Sequence, residues 1–220
     1  MAKRVFAVAA HPDDIEFMMG GTFILLGQAG YELHYMTVAN GSCGTAVLSR
    51  DQIVATRTEE SRQAANSVGA HYHPPLVDDL DIYYDRDLVS KLCAIVRKID
   101  PQIILLQSPQ DYMEDHMNSS RLMVTAAFCR NIKNFPTDPP TPPVTGEVAL
   151  YHALPYGLCD QLRNPIKAEM YVDVQSVLDK KRDMLACHRS QKEWLDHSQR
   201  LDSYLTTMTE MTARMGAQSG

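Results

Sequence analysis

Short apolar runs along the chain alternate with segments whose apolar residues recur every three or four positions. Residues 5–10 are brief and apolar, as expected of a parallel strand covered on both faces. Residues 20–29 predict a helix with Gly30 as its C-terminal stop. Residues 33–39 predict a second strand. Ser49 and Gln52 stand three apart as a capping box, opening a helix whose core face is Ile53, Val54, Ala64, Ala65 and Val68. Leu88, Val89, Leu92, Ile95, Val96 and Ile99 carry the clearest helical period, closed by Pro101. Residues 103–106 follow as another buried strand. Residues 116–130 return to helical spacing, with Leu122, Ala126 and Cys129 on one side. Residues 148–152 and 170–174 are expected strands, and Val177, Leu178, Met184, Leu185 and His188 mark a helix within a C-terminal helical segment from about 174 to 214.

Repeated strand–helix units imply a mostly parallel sheet with helices on both faces. Right-handed crossovers then give a Rossmann-like three-layer α/β sandwich. The stretch 135–146 holds five prolines in twelve residues and fits neither helix nor central strand. It reads as a surface connector or as a loop rimming the pocket. At 220 residues the pattern fits a single catalytic domain spanning 1–220.

Composition narrows the function. Hydrophobic content of 45% and charged content of 22% suit an ordinary globular chain, and a net charge of -6 argues against a general nucleic-acid binder. Five scattered cysteines without a CxxC pair exclude a disulfide framework and a zinc ribbon, and suit a reducing compartment. The apolar run after Met1 is too short for a signal peptide. No stretch approaches the roughly 20 apolar residues of a membrane span. A cytoplasmic protein is expected.

Chemistry concentrates where strands end. In an open α/β sheet, ligands bind beyond the carboxyl ends of the strands. The first strand runs into His11-Pro12-Asp13-Asp14-Ile15-Glu16, then Gly20-Gly21-Thr22. A histidine and carboxylates in a tight turn are costly to hide and well suited to a cation, and zinc accepts both donor types. The glycines lack the Lys-Ser/Thr of a P-loop and read as close helix packing. The strand at 103–106 leads into a second polar cluster, Asp111 to His116, which makes His116 a natural third ligand. Two histidines and an aspartate would leave a fourth position open, as catalytic zinc requires.

These motifs resemble the signature of the PIG-L/LmbE-like deacetylases, the family of N-acetylglucosaminyl-phosphatidylinositol de-N-acetylase. Further similarity lies in Arg57-x-x-Glu60 with Ala64 and Gly69, in Asp111 to His116, in Tyr171-Val-Asp173, and from Lys181 to Gln191. The resemblance implies zinc (Zn2+) held by His11, Asp14 and His116, with Asp13 as general base. It implies hydrolysis of the amide of a small-molecule N-acetylated sugar or glycoconjugate, and it allows a homo-oligomer. An amidase for a larger conjugate and a sugar-binding protein without catalysis are the competing readings.

One departure stands out. Relatives often carry a helper histidine three residues before the last ligand, and here that position is Met113, whose thioether cannot donate a proton. Tyr112, Asp111, Glu114 or His188 must supply the function, or the reaction proceeds without it. Tyr112, adjacent to the vacant position, is the expected donor, with His188 as the alternative. Arg57 lies away from the apolar stripe of its helix, where a solvated charge is the default; by resemblance it contacts a substrate hydroxyl or carboxylate. Asp111 is a second candidate substrate contact. Asp78, Asp79 and Asp81 read as an acidic loop or a sugar-hydroxyl contact. His71 and His73, followed by two prolines, read as the exposed approach to a loop rather than a second metal site. His188 is on the core side of its helix and fits a buried structural histidine as well as a catalytic one.

Overall fold

A computed structural model describes residues 3–192, 194 and 204–219. Its centre is a five-stranded, all-parallel sheet in the order β3-β2-β1-β4-β5. The strands are β1 (Arg4–Ala9), β2 (Glu32–Thr37), β3 (His71–His73), β4 (Ile103–Leu106) and β5 (Ala149–His152). Helices α1 (Gly20–Gln28), α2 (Arg50–Ser67), α3 (Arg86–Ile99), α4 (Glu114–Cys129), α5 (Leu178–Leu185) and α6 (Tyr204–Gln218) surround it. The expected helical segment from about 174 to 214 is seen as α5 and the start of α6; residues 193 and 195–203 of it lie outside the described residues.

Alternation along the central strands builds the two faces. Phe6, Val8 and Ala10 join Met36 and Val38 against α3 and α4, packing with Leu92, Val96 and Leu122. Val5, Ala7 and Ala9 join Leu33 and Tyr35 on the other side, against Phe23 of α1, Ala64 and Ala65 of α2 and Met184 of α5. The result is the three-layer α/β sandwich that the strand–helix rhythm implies. β1 lies between β2 and β4, so successive connections leave it in opposite directions. A crevice opens at that switch point, above the carboxyl ends of β1 and β4.

Local signals hold where the chemistry is local. Ser49 and Gln52 form the expected capping box of α2, and Gly30 follows α1 at φ +88°. The proline-rich stretch is a connector from α4 to β5. Buried Arg97 of α3 holds it by donating to the carbonyls of Arg130, Ile132 and Thr141.

Three expectations are corrected, and one further element is added. Residues 170–174 form no strand; Met170, Tyr171 and Val172 are exposed, and Val174 packs on Gly21 instead. His71 and His73 are strand residues of β3, paired in parallel with β2, rather than the approach to a loop. Val54 and Val68 are only partly buried, whereas Arg57, Glu60 and Ser61 are buried on α2. That face covers a polar site, so apolar spacing alone misjudged it. Finally, α1 is preceded by a π-helical turn, Ile15–Met19, which the helical period did not reveal.

The two glycines opening α1 should respond oppositely to alanine. A methyl at Gly21 would stand 2.6 Å from Val174 Cγ1, whereas one at Gly20 meets nothing closer than 3.4 Å. Gly21→Ala should lower stability by about 1–3 kcal/mol through overpacking, and Gly20→Ala should be tolerated. Thermal unfolding of the two variants side by side checks this.

Candidate metal centre and active site

The end of β1 is tied to the end of β4 by a hydrogen bond from Ala10 N to Gln107 Oε1 of 2.7 Å. The chain then turns sharply. Asp13 adopts φ +96°, a conformation that costs a non-glycine residue about 1–3 kcal/mol and is found mainly where function holds it. Asp14 folds back so that its Oδ2 accepts from His11 N at 2.8 Å. The same oxygen lies 3.5 Å from His11 Nδ1 and 3.4 Å from His116 Nε2. Donor atoms of His11, Asp14 and His116 all lie within 4.8 Å of one another, and all three residues line one cavity.

Each imidazole is fixed from behind by a carboxylate. Asp115 Oδ2 is 2.9 Å from His11 Nε2, and Asp111 Oδ2 is 3.0 Å from His116 Nδ1. This leaves His11 Nδ1 and His116 Nε2 for a metal, the arrangement by which outer carboxylates orient ligand histidines. Asp115 is itself anchored by Leu80 N at 2.8 Å, and Asp111 by Met113 N at 3.1 Å. Asp111, expected against substrate, is buried and turned to His116. Asp115 went unrecognised in the sequence, although two carboxylates four residues apart at the start of α4 were its signal.

Charge governs this pocket. Burial disfavours the His11 imidazolium, yet the Asp115 hydrogen bond and the Asp14 charge outweigh it and lift the imidazole to about 10. His116 is raised too: burial opposes, but Asp14 and Asp111 prevail. Burial likewise opposes ionised Asp14, and the two histidines hold it well below the usual carboxylate range. Two imidazoles and one carboxylate, with room left on the cavity side, are the donor chemistry of a metal centre.

Asp13 points elsewhere. Its Oδ2 accepts from Tyr204 Oη of α6 at 2.5 Å, and its Oδ1 is 3.6 Å from Arg57 Nη2. Burial lifts the Asp13 carboxyl above the usual range, with Arg57 pulling the other way. Burial and the Asp13 charge raise the Tyr204 phenol well above 10, so it stays a donor. Arg57 is buried rather than solvated; it donates to Pro12 O and to Gln191 Oε1 and also lines the cavity. Gly41 leaves the space it occupies, since a Cβ there would stand 2.6 Å from Arg57 Cδ.

Tyr112 lines the cavity with its ring centroid 6.0 Å from that of His116. Burial and the neighbouring aspartates raise its phenol well above the usual value. His188 is fully buried and absent from the lining; its Nε2 lies 3.1 Å from Glu16 Oε1. Asp78 is taken up by Asn40 and Arg50, and Asp79 by the amides of Gly41 and Cys43, so both tie the β2–α2 loop. Tyr204 had no sequence signal, being 191 positions from its partner.

A doubly wound parallel sheet with a His-Asp-His cluster at its switch point defines an α/β protein with a candidate metal centre. The chain belongs to the PIG-L family: the family model described as GlcNAc-PI de-N-acetylase matches residues 6–127. It is 28% identical over 139 residues to a diacetylchitobiose deacetylase of Thermococcus kodakarensis, a match covering 60% of this chain and 52% of that protein. The match thus spans about half the length of that relative. It is 23% identical over 209 residues to a 4-oxalmesaconate hydratase of Pseudomonas putida, covering 90% of this chain and 78% of that protein. The structure of an N,N'-diacetylchitobiose deacetylase from Pyrococcus horikoshii superposes with a TM-score of 0.83 at 23% identity, over 100% of this chain and 80% of that one. At that identity the likeness establishes the fold.

Metal uptake should expel protons. His11 titrates at about 10 in the metal-free protein, so it is protonated at neutral pH and must lose that proton to become a ligand. Affinity therefore rises with pH and weakens roughly tenfold per pH unit for each proton displaced, as pH falls below that value. Calorimetric titration in buffers of different ionisation enthalpy counts the protons. Asp115→Asn and Asp111→Asn should each weaken binding about 10–100-fold.

Proposed function

We propose that the protein is a zinc-dependent hydrolase that removes the acetyl group from the amide nitrogen of an N-acetylated sugar or glycoconjugate. The observation that carries this reading is the split of two adjacent aspartates. Asp14 joins the two histidines, while Asp13 stands beside them, outside the donor set and facing the same cavity. A binding site for metal alone has no need of that second carboxylate, held at φ +96°. Family membership and the deacetylase relatives support the same chemistry.

Two imidazoles, one carboxylate and an open position suit zinc. When bound, such an ion supplies Lewis acidity, acidifying water and polarising an amide carbonyl. The chain's own residues supply the rest. Asp13 accepts the proton of the attacking water and returns it to the departing amine. Tyr204 and Arg57 hold Asp13 in place, and because Tyr204 keeps its proton, Asp13 remains the acceptor. Tyr112, also protonated, donates to the developing oxyanion, a role supported by its position in the cavity lining. The cavity measures about 520 Å³, within the usual range for small-molecule sites. Phe17, Tyr112, Tyr156 and Trp194 among its walls offer apolar faces for a sugar ring.

A second reading, hydration of a conjugated unsaturated carboxylate, rests on the near full-length similarity to the hydratase. Asp13 would then deprotonate water adding to a carbon–carbon double bond. Acetate release from a panel of N-acetylated sugars, set against loss of the conjugated substrate's ultraviolet absorbance, decides between them.

Asp13→Asn should retain metal and lose about 10²–10⁴ in kcat, whereas Asp14→Ala should lose metal. If these outcomes are exchanged, the two roles are exchanged.

Tyr204→Phe and Tyr112→Phe should each reduce kcat about tenfold or more with metal retained. Both phenols are raised, so neither should impose an alkaline loss between pH 7 and 9. A loss near pH 7 that vanishes in His188→Ala would assign the proton donor to His188. The pH–rate profiles of wild type and variants read this out.

A further inference from the structure

At the edge of the sheet, β3 pairs with β2 so that His71 sits beside His34 and His73 beside Met36. Alternate residues share a face, and Glu32, His34, His71 and His73 therefore stand together. None of them lines the catalytic cavity. Glu32 Oε1 lies 3.3 Å from Nε2 of His34 and 3.3 Å from Nε2 of His71. His34 Nδ1 shares a hydrogen bond of 2.9 Å with His73 Nε2, which fixes the ring. Whichever ring carries that proton, His34 Nε2 is buried and faces Glu32 Oε1 without good hydrogen-bond geometry. A buried ring nitrogen so weakly satisfied beside a carboxylate is open to a ligand. Burial lowers both His34 and His73, the latter to about 4. Arg4 occupies the other oxygen of Glu32 at 3.3 Å and leaves Oε1 to the histidines.

We propose that Glu32, His34 and His71 form a second metal site, for a divalent transition-metal ion such as zinc, with His73 holding His34 from behind. Tetrahedral donors about 2.1 Å from zinc stand roughly 3.4 Å apart, close to the two separations found here. The three donors do not yet all fall within 4.8 Å, as those of the catalytic centre do. The proposal requires His71 to close that gap by a change of rotamer, for which its side chain, 61% exposed on an edge strand, has room on the solvent side. Two imidazoles and a carboxylate suit zinc, copper or nickel better than magnesium or calcium. The ion clips the three-residue β3 to β2 at an edge that otherwise frays.

The test separates the two centres by mutation. With His11→Ala and Asp14→Ala silencing the first, zinc titration with elemental analysis should leave one equivalent per chain. Adding His71→Ala or Glu32→Gln should remove it. In the silenced protein Tm should rise by roughly 3–6 °C at a tenfold zinc excess over Kd, and the rise should vanish in the His71→Ala background. Since the silenced chain itself could fail to fold, the unsilenced protein provides a parallel count: two equivalents in wild type and one in His71→Ala. A single equivalent in wild type, or a second that survives both His71→Ala and Glu32→Gln, overturns the proposal.

Discussion

Asp14 Oδ2 serves the His11 amide, His11 Nδ1 and His116 Nε2 at once, and much of the neighbourhood follows from keeping that buried oxygen charged. A carboxylate removed from water is stable only beside positive charge or strong donors. The turn after β1 supplies an amide, and the start of α4 brings an imidazole from a sequence position about a hundred residues on. Once both histidines face Asp14, their outer nitrogens need acceptors of their own, which Asp115 and Asp111 provide. Five side chains thus lock one another into the geometry of a metal centre.

Asp13 depends on the same turn but on a different set of supports. Its strained backbone turns the carboxylate away from the histidines and toward Arg57 and Tyr204. Arg57 in turn requires the space left by Gly41 and the carbonyl of Pro12, so α2, the β2–α2 loop and the first turn form one unit. Behind it, Glu16 and His188 face each other with no exposure at all, Glu16 Oε1 3.1 Å from His188 Nε2. His188 thus lies buried behind the cavity, outside its lining.

The C-terminal segments complete the pocket. α5 covers the sheet face through Met184, and Ser190 donates to buried Glu60 of α2. α6 brings Tyr204 onto Asp13, so the hydrogen-bond partner of Asp13 comes from the opposite end of the sequence. Phe17 packs between Tyr156 and Tyr204, linking the first turn to the cavity's aromatic walls.

The sequence by itself determined the alternating layers, the capping box of α2 and the two polar clusters at strand ends, because these rest on period, capping chemistry and the rule that ligands meet strand carboxyl ends. It also singled out His11, Asp14 and His116, and the structure gathers all three. Tertiary structure alone decided the rest. Residues 170–174 have strand-like composition, but no neighbour pairs with them, and Val174 fills the notch at Gly21 instead. Arg57 reads as a solvated charge on α2 until the folded chain lays a carboxylate, a carbonyl and a glycine turn around it. Asp111 reaches His116 five residues on, but Asp115 met His11, and Tyr204 met Asp13, only through contacts between distant elements. Periodicity reports which face of an element is apolar; it carries no information about which buried polar groups will meet, because that pairing is set by the packing of whole helices and strands.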